Sequence, residues 1–309
     1  MYRGPVKKMF EKGKKEKSRI FVSRTDEFNV YTALKEALNS LEISFHFDVA
    51  AIKLNLCSLK LRETGATSDP IVVEQLVQLL NENNVRVRLV ESNSASKDAD
   101  LAFEYLGFKN LEKKYDVKCV NLSKDDFAIK KIDGYYLKSV KMPKALETAD
   151  FFITHPKLKI HSSMGVRLTG ALKNQFGCLM KKKKSFYHPM IHEVIADVNQ
   201  AFTPDLTIMD GIIVMTGYGP TNGIPHRLEM LFTSRDPVAV DALGARIFGF
   251  NPSSIKYIKL ASKKKLGNMD SILCGDSIEN VLFDMHINKF IIRSFEVLSS
   301  MGIKGVTEV

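Results

Sequence analysis

Three strand-length apolar runs alternate with two helix-length segments between residues 46 and 123, and this alternation limits the fold more than any other feature. The runs are HFDVAAIKLNLC (46–57), VRVRLVES (85–92) and DVKCVNLS (116–123). Between the first two, Asp69 precedes Pro70: a capping side chain, then a residue whose fixed φ suits the first helical position. That helix is expected to run to Asn83, and a second from Ser96 to Leu106. Strands joined by crossovers of this length lie parallel. The expected fold class is therefore α/β: a mainly parallel sheet with helices on both faces. Loops leaving the carboxyl ends of its strands would form the ligand crevice.

The flanking chain fits the same class. A strand is expected at 19–22, a helix at 26–40, a hairpin at 127–140 turning at Asp133-Gly134, and a short helix at 142–149. ADFFIT (149–154) reads as a buried strand. A helix over 168–180 would carry the stripe Leu168, Ala171, Leu172, Phe176 and Leu179, with another helix at 189–202. A strand at 205–217 is interrupted by Asp210-Gly211, and 227–250 reads as strand then helix, with Asp236 as cap. A lysine-rich helix (253–266), a short strand (271–277) and an amphipathic segment (290–300) complete the chain. The expected organisation is a basic flexible tail (1–18) and one domain (19–309). The domain divides into lobes 19–150 and 151–285 with a C-terminal tail 286–309.

Lys and Arg number 45 against 35 Asp and Glu, a net charge of +10. Such an excess favours polyanions or an anionic substrate and says nothing of fold. Cys57, Cys119, Cys178 and Cys274 show no ligand spacing, which argues against a disulfide framework, a local zinc motif or an iron–sulfur cluster. Residues 1–18 lack an apolar h-region, and no run of about 18 apolar residues occurs, so neither a signal peptide nor a membrane span is expected. The expected setting is cytoplasmic.

Residues 155–188 crowd polar, cationic and glycine residues behind the buried strand, as an anion or cofactor site requires. Arg167, Thr169, Gly170 and Asn174 are candidates for holding an anion. Lys173 is a candidate for holding it or, if desolvated, for acting as a base or Schiff-base amine. His161 and Asp210 are candidates to handle a proton. His161 with His188 is a candidate metal pair for a divalent ion, with His155 and His192 either further ligands or histidines making one structural hydrogen bond. In GYGPTNG, Gly217, Gly219 and Gly223 permit a backbone nest for an anion, or a tight connection. Asp241 is either structural or part of the site.

KIHSSMGVRLTGALKNQFG, PDLTIMDGIIVMTGYGPTNG and SRDPVAVDALGARIFG resemble the family known as domain of unknown function 362. Its signature falls on Lys159, His161, Thr169, Gly170, Lys173, Asn174, Gly177, Asp210, Gly211, Gly217, Gly219, Pro220, Gly223, Ser234, Asp236, Pro237 and Asp241. Many members also carry a ferredoxin-like iron–sulfur segment, for which this chain lacks the cysteines. The resemblance covers residues 48–280 and implies the fold; it brings no general activity. His161, Lys173 and His188 are also similar in order to the pincer-cofactor region of nickel-dependent lactate racemases.

The function expected from these residues is an enzyme acting on a small anionic metabolite or cofactor, with or without a metal. The alternatives are a non-catalytic cofactor- or metal-binding assembly protein, and a nucleic-acid binder using Lys181–Lys184 with Phe186 and Tyr187.

Overall fold

The structure is a computed structural model that describes residues 17–94, 97–162, 165–181 and 183–281. The tail at 1–16, the amphipathic segment at 290–300 and the C-terminal tail lie outside the described residues.

The elements follow in order: β1 (Ser18–Arg24), α1 (Val30–Ser40), β2 (Val49–Lys53), α2 (Pro70–Glu82), β3 (Arg86–Glu91), α3 (Ala99–Tyr105), β4 (Val117–Asn121), β5 (Phe127–Lys131), β6 (Ser139–Pro143), α4 (Lys144–Glu147), β7 (Phe151–Thr154), β8 (Lys157–His161), β9 (Arg167–Thr169), α5 (Ala171–Asn174), α6 (Ile191–Ala201), β10 (Leu206–Thr216), β11 (Ile224–Ser234), α7 (Pro237–Ile247), α8 (Lys256–Lys263) and β12 (Ser271–Gly275). Among the described residues ten strands form one sheet in the order β12-β1-β11-β10-β7-β2-β3-β4, with β8 also on β10 and β9 on β8. The run β10-β7-β2-β3-β4 is parallel throughout, so the βαβαβ alternation does produce a parallel sheet. β11 and β9 are antiparallel to their neighbours.

Alternate residues of the strands bury on opposite faces. Ala50 and Ile52 of β2 pack with Leu34, Leu76 and Phe103 from α1, α2 and α3. Ala51 packs on the other face with Val194 and Val198 of α6. Beside it, Leu158, Met209 and Phe232 pack with Val240, Leu243 and Ile258 from α7 and α8. Helices thus cover both faces. Asp69 caps α2, accepting from Ile71 N at 2.8 Å, and Asp236 caps α7 through Val238 N and Ala239 N. β5 and β6 form a separate ribbon whose turn is held by Asp197 of α6, which accepts N–H bonds from Tyr135, Tyr136 and Leu137.

Two segments differ from expectation. Residues 168–180 do not form one helix. Thr169 pairs with Lys159 as strand, α5 is a single turn, and Gln175–Cys178 is a 3-10 turn. A distant side chain decides this: Asp241 of α7 accepts from Ala171 N at 2.5 Å and from Leu172 N at 3.1 Å, which fixes the start of α5 just after Gly170. A Cβ on Gly170 would lie 2.2 Å from Asp241 Oδ1, so only glycine admits that carboxylate. Asp210-Gly211 does not interrupt β10 either. The strand runs all eleven residues and absorbs the irregularity as a register shift between Gly211 and Ile213.

Candidate functional site

The parallel strands β2, β3 and β7 end side by side at Lys53, Glu91 and Thr154, and residues 54–69 fold back over that edge. β8 extends the edge. With side chains alternating across a strand, its K-L-K-I-H sequence places Lys157, Lys159 and His161 on one face, opposite Leu158 in the apolar core.

Five lysines converge here. Lys53 is 2.9 Å from Glu91 Oε1 and donates to the Leu54 carbonyl at 2.6 Å. Glu91 also accepts from Leu56 N at 3.0 Å and Ser92 N at 2.8 Å. Lys97 donates to the Leu56 carbonyl, and Lys184 to Ser92 Oγ at 2.8 Å and the Asn93 carbonyl at 2.5 Å. Lys159, wholly buried, donates to the Ala66 carbonyl and approaches Cys57 Sγ at 3.1 Å. Among the described residues, Lys173 has neither a hydrogen-bond acceptor nor a carboxylate partner for its Nζ.

The charges act on one another. Burial, then the neighbouring Lys159 and Lys53, push the Lys173 ammonium down to about 8 even though Cys57 opposes the shift. Burial pushes Lys184 down to about 8 and lowers Lys97. Burial opposes ionisation of Glu91, but Lys53, Lys97 and two backbone N–H groups outweigh it and hold the carboxyl at about 2. Clustered, partly desolvated ammonium groups are costly unless anions compensate them. Glu91 is the single carboxylate that ion-pairs within this set of lysines among the described residues.

Cys57 lies at the centre. Burial works against its thiolate, yet Lys159, Lys173 and Lys97 overcome this and lower the thiol's pKa. Burial instead pushes Cys119 and Cys178 up to about 12. The 217–223 loop closes on this thiol, with the Pro220 carbonyl 3.9 Å from Sγ. Its glycines serve close approach. A Cβ on Gly219 would lie 1.9 Å from the Ile160 carbonyl, and one on Gly223 2.1 Å from that of Thr216, while Gly217 has φ +68°. The Gly219 carbonyl accepts from Ser162 N (3.1 Å) and Ser162 Oγ (2.8 Å).

The expected site residues divide. Lys173 enters the cluster, and His161, 6% exposed, ends β8 two residues after Lys159. Asn174 is buried and ties two strand ends together, donating to the Lys53 carbonyl at 3.1 Å and to Thr154 Oγ1 at 3.0 Å. Thr169 is buried and Gly170 is taken up by Asp241. Arg167, opposite His161 in register, is exposed, with its guanidinium 5.8 Å from the Phe250 ring.

Asp210 is held in an ion pair inside the protein. It is fully buried, 2.8 Å from the equally buried Lys157, and accepts from Ile212 N at 3.0 Å. His161 and His188, the expected metal pair, differ in exposure, His161 being buried. His188 is exposed in the 3-10 segment Lys184–Met190, and among the described residues no three His, Cys, Asp or Glu side chains converge to hold a metal. His155 makes a structural hydrogen bond, its Nδ1 lying 2.9 Å from the Ile208 carbonyl. The lysine run is not a uniform cationic face, because Lys181 sits 3.8 Å over the Phe186 ring while Lys184 turns inward.

Sequence reasoning missed Cys57, Lys53, Lys97 and Lys184 as site residues. Lys53 and Cys57 stand at the carboxyl end of the first apolar run, where a crevice is expected, and that position was the available signal.

Residues 50–246 match the family described as Domain of unknown function (DUF362). The chain belongs to this family. The DUF362 span contains Cys57, Glu91 and all five converging lysines. This DUF362 chain is 27% identical over 227 residues to the thylakoid-associated protein sll1697 of Synechocystis sp., covering 71% of this chain and 68% of that protein. It is also similar to the solved lactate racemase apoprotein from Thermoanaerobacterium thermosaccharolyticum, at 10% identity and a TM-score of 0.42. That match covers 75% of this chain and 57% of the racemase, and so distant a likeness carries no argument about the site. Among the described residues, no helix is long and apolar enough to cross a membrane.

Proposed function

We propose that this DUF362 chain binds a small anionic metabolite or cofactor, carboxylated or phosphorylated, at the carboxyl edge of its parallel sheet, and acts on it as an enzyme. The observation that carries this reading is Lys173: a desolvated ammonium beside Lys159 and Cys57, with no protein acceptor among the described residues. Lys173 and Lys159 hold the anion, Lys97 and Lys184 add positive field, and Glu91 fixes Lys53 at the rear of the cluster. An anion supplies the missing counter-charge, so its binding energy comes from relieving repulsion the fold has already built. A reducing, cytoplasmic setting suits this reading, since it keeps Cys57 as the free thiol seen here.

Thermal denaturation against inorganic phosphate and a panel of phosphorylated and carboxylated metabolites tests it. A bound anion at a hundred times its Kd raises stability by about 2.7 kcal/mol. The stabilisation is expected in the parent chain and not in Lys173→Ala. A catalytic reading further requires turnover of a stabilising compound, whereas binding without turnover would leave a carrier or assembly protein.

A further inference from the structure

We propose that Cys57 is a nucleophilic thiolate, and that the anion site presents to it a small carboxylated or phosphorylated compound bearing an aldehyde or ketone carbon. This rests on the anion-site reading and adds the reacting atom and the substrate class.

The geometry singles out this thiol. Cys178 is buried and donates to Gln175 Oε1 at 3.3 Å, and Cys119 lies by Glu112, which accepts from its backbone N at 2.7 Å. Cys57 instead faces an ammonium at 3.1 Å, with the carbonyls of Ala66 at 3.4 Å and Pro220 at 3.9 Å beside it. As a residue Cys57 keeps partial exposure, whereas Cys178 is buried. A purely structural role accounts poorly for the arrangement, because a thiol and an ammonium facing each other in a protein interior are commonly less favourable than apolar packing. The groups whose charge acts on the thiol are Lys159, Lys173 and Lys97, all cationic, and the thiolate is the nucleophilic form of cysteine.

Addition to a carbonyl matches what the site contains. The sulfur lone pair forms the S–C bond, and the C=O π pair moves to oxygen. That oxygen takes a proton from the Lys173 ammonium, leaving a neutral amine and a hemithioacetal. The step needs a proton donor and neither a leaving group nor an oxidant, and Lys173, with its pKa pushed down to about 8, gives up a proton more readily than an ordinary lysine. Lys159 remains to hold the ligand's carboxylate or phosphate, with Lys97 adding positive field.

The test is cysteine-resolved alkylation of the full chain by iodoacetamide and iodoacetate, read by peptide mass spectrometry. In each case the S–C bond forms as the C–I bond breaks and iodide leaves. At pH 7 Cys57 is expected to react at least about tenfold faster than Cys274. Relative to Cys274 it should favour the anionic reagent, and Lys173→Ala should reduce that preference. Glyoxylate should protect Cys57 at lower concentration than acetate. Reaction no faster than at Cys274, a charge preference unchanged in Lys173→Ala, or equal protection by acetate would each overturn the proposal. Thermal shifts on Cys57→Ser separate the two readings. If anions still stabilise that variant while alkylation is unselective, the anion site stands and the nucleophile falls. If phosphate and the acids stabilise neither chain, the reading beneath falls as well.

Discussion

Lys159 and Cys57, 102 residues apart in sequence, meet at 3.1 Å from Nζ to Sγ beneath the carboxyl edge of the sheet. β8 carries the lysine because it lies beside β10, and the loop after β2 carries the cysteine because β2 ends on the same edge. This contact brings the sheet's two halves to one chemical centre.

The second buried lysine of β8 serves stability. Lys157 and Asp210 are both fully buried, 2.8 Å apart. Removing one charge leaves the other unpaired, so Asp210→Asn is expected to cost about 3–5 kcal/mol in denaturant unfolding. An Asp210→Asn chain of undiminished stability would show that this ion pair does not serve stability.

Glu91→Gln leaves Lys53 and Lys97 without their carboxylate and is expected to cost about 3–5 kcal/mol. The parent chain carries the corresponding pH signature. The Glu91 carboxyl is held at about 2 against an ordinary 4.5, so its stabilising share is full above pH 4.5 and is lost as pH falls from 4.5 to 2. Urea midpoints across that range should fall more steeply in the parent than in Glu91→Gln.

Anion affinity should be level below pH 8 and decline above it, because Lys173 and Lys184 lose their protons near 8 when no anion is bound. Stability of the unliganded chain should move the other way. The unfolded chain keeps these protons to an ordinary 10.5, so between 8 and 10.5 it binds more protons than the folded chain, and folding gains with pH. Replacing both lysines by alanine should flatten that rise in urea midpoints.

Gly170 and Asp241 form a fitted pair. A methyl on residue 170 would fall 2.2 Å from Asp241 Oδ1. Gly170→Ala is expected to cost about 1–3 kcal/mol and, by displacing α5, to weaken anion binding with it. Unchanged stability and binding would show that α5 is not positioned by this contact.

The βαβαβ core was legible because its apolar runs are of strand length and its helix starts carry capping residues, Asp69-Pro70 and Asp236-Pro237. The 168–180 segment was not. Its apolar spacing suits a helix, but pairing of Thr169 with Lys159 and the reach of Asp241 from α7 override that local pattern. Asp210-Gly211 looked like a strand break, since nothing local shows that β10 can absorb a bulge between two neighbours. Lys173 could be read as a site lysine from the polar crowding around it. The place of Cys57 at the crevice was legible from the end of the first apolar run, but the state of its thiol was not, because that is set by neighbours such as Lys159 on β8, far along the chain.

The central claim is that Lys173 is a cation awaiting an external anion. Isothermal titration of the parent chain and Lys173→Ala, at pH 7, with the compound that most stabilises the parent, tests it directly. Saturable binding by the parent, weakened at least about tenfold in the variant, is the predicted result, equivalent to about 1.4 kcal/mol. Equal affinity in the two chains, or no saturable binding of any anion by the parent, would contradict it.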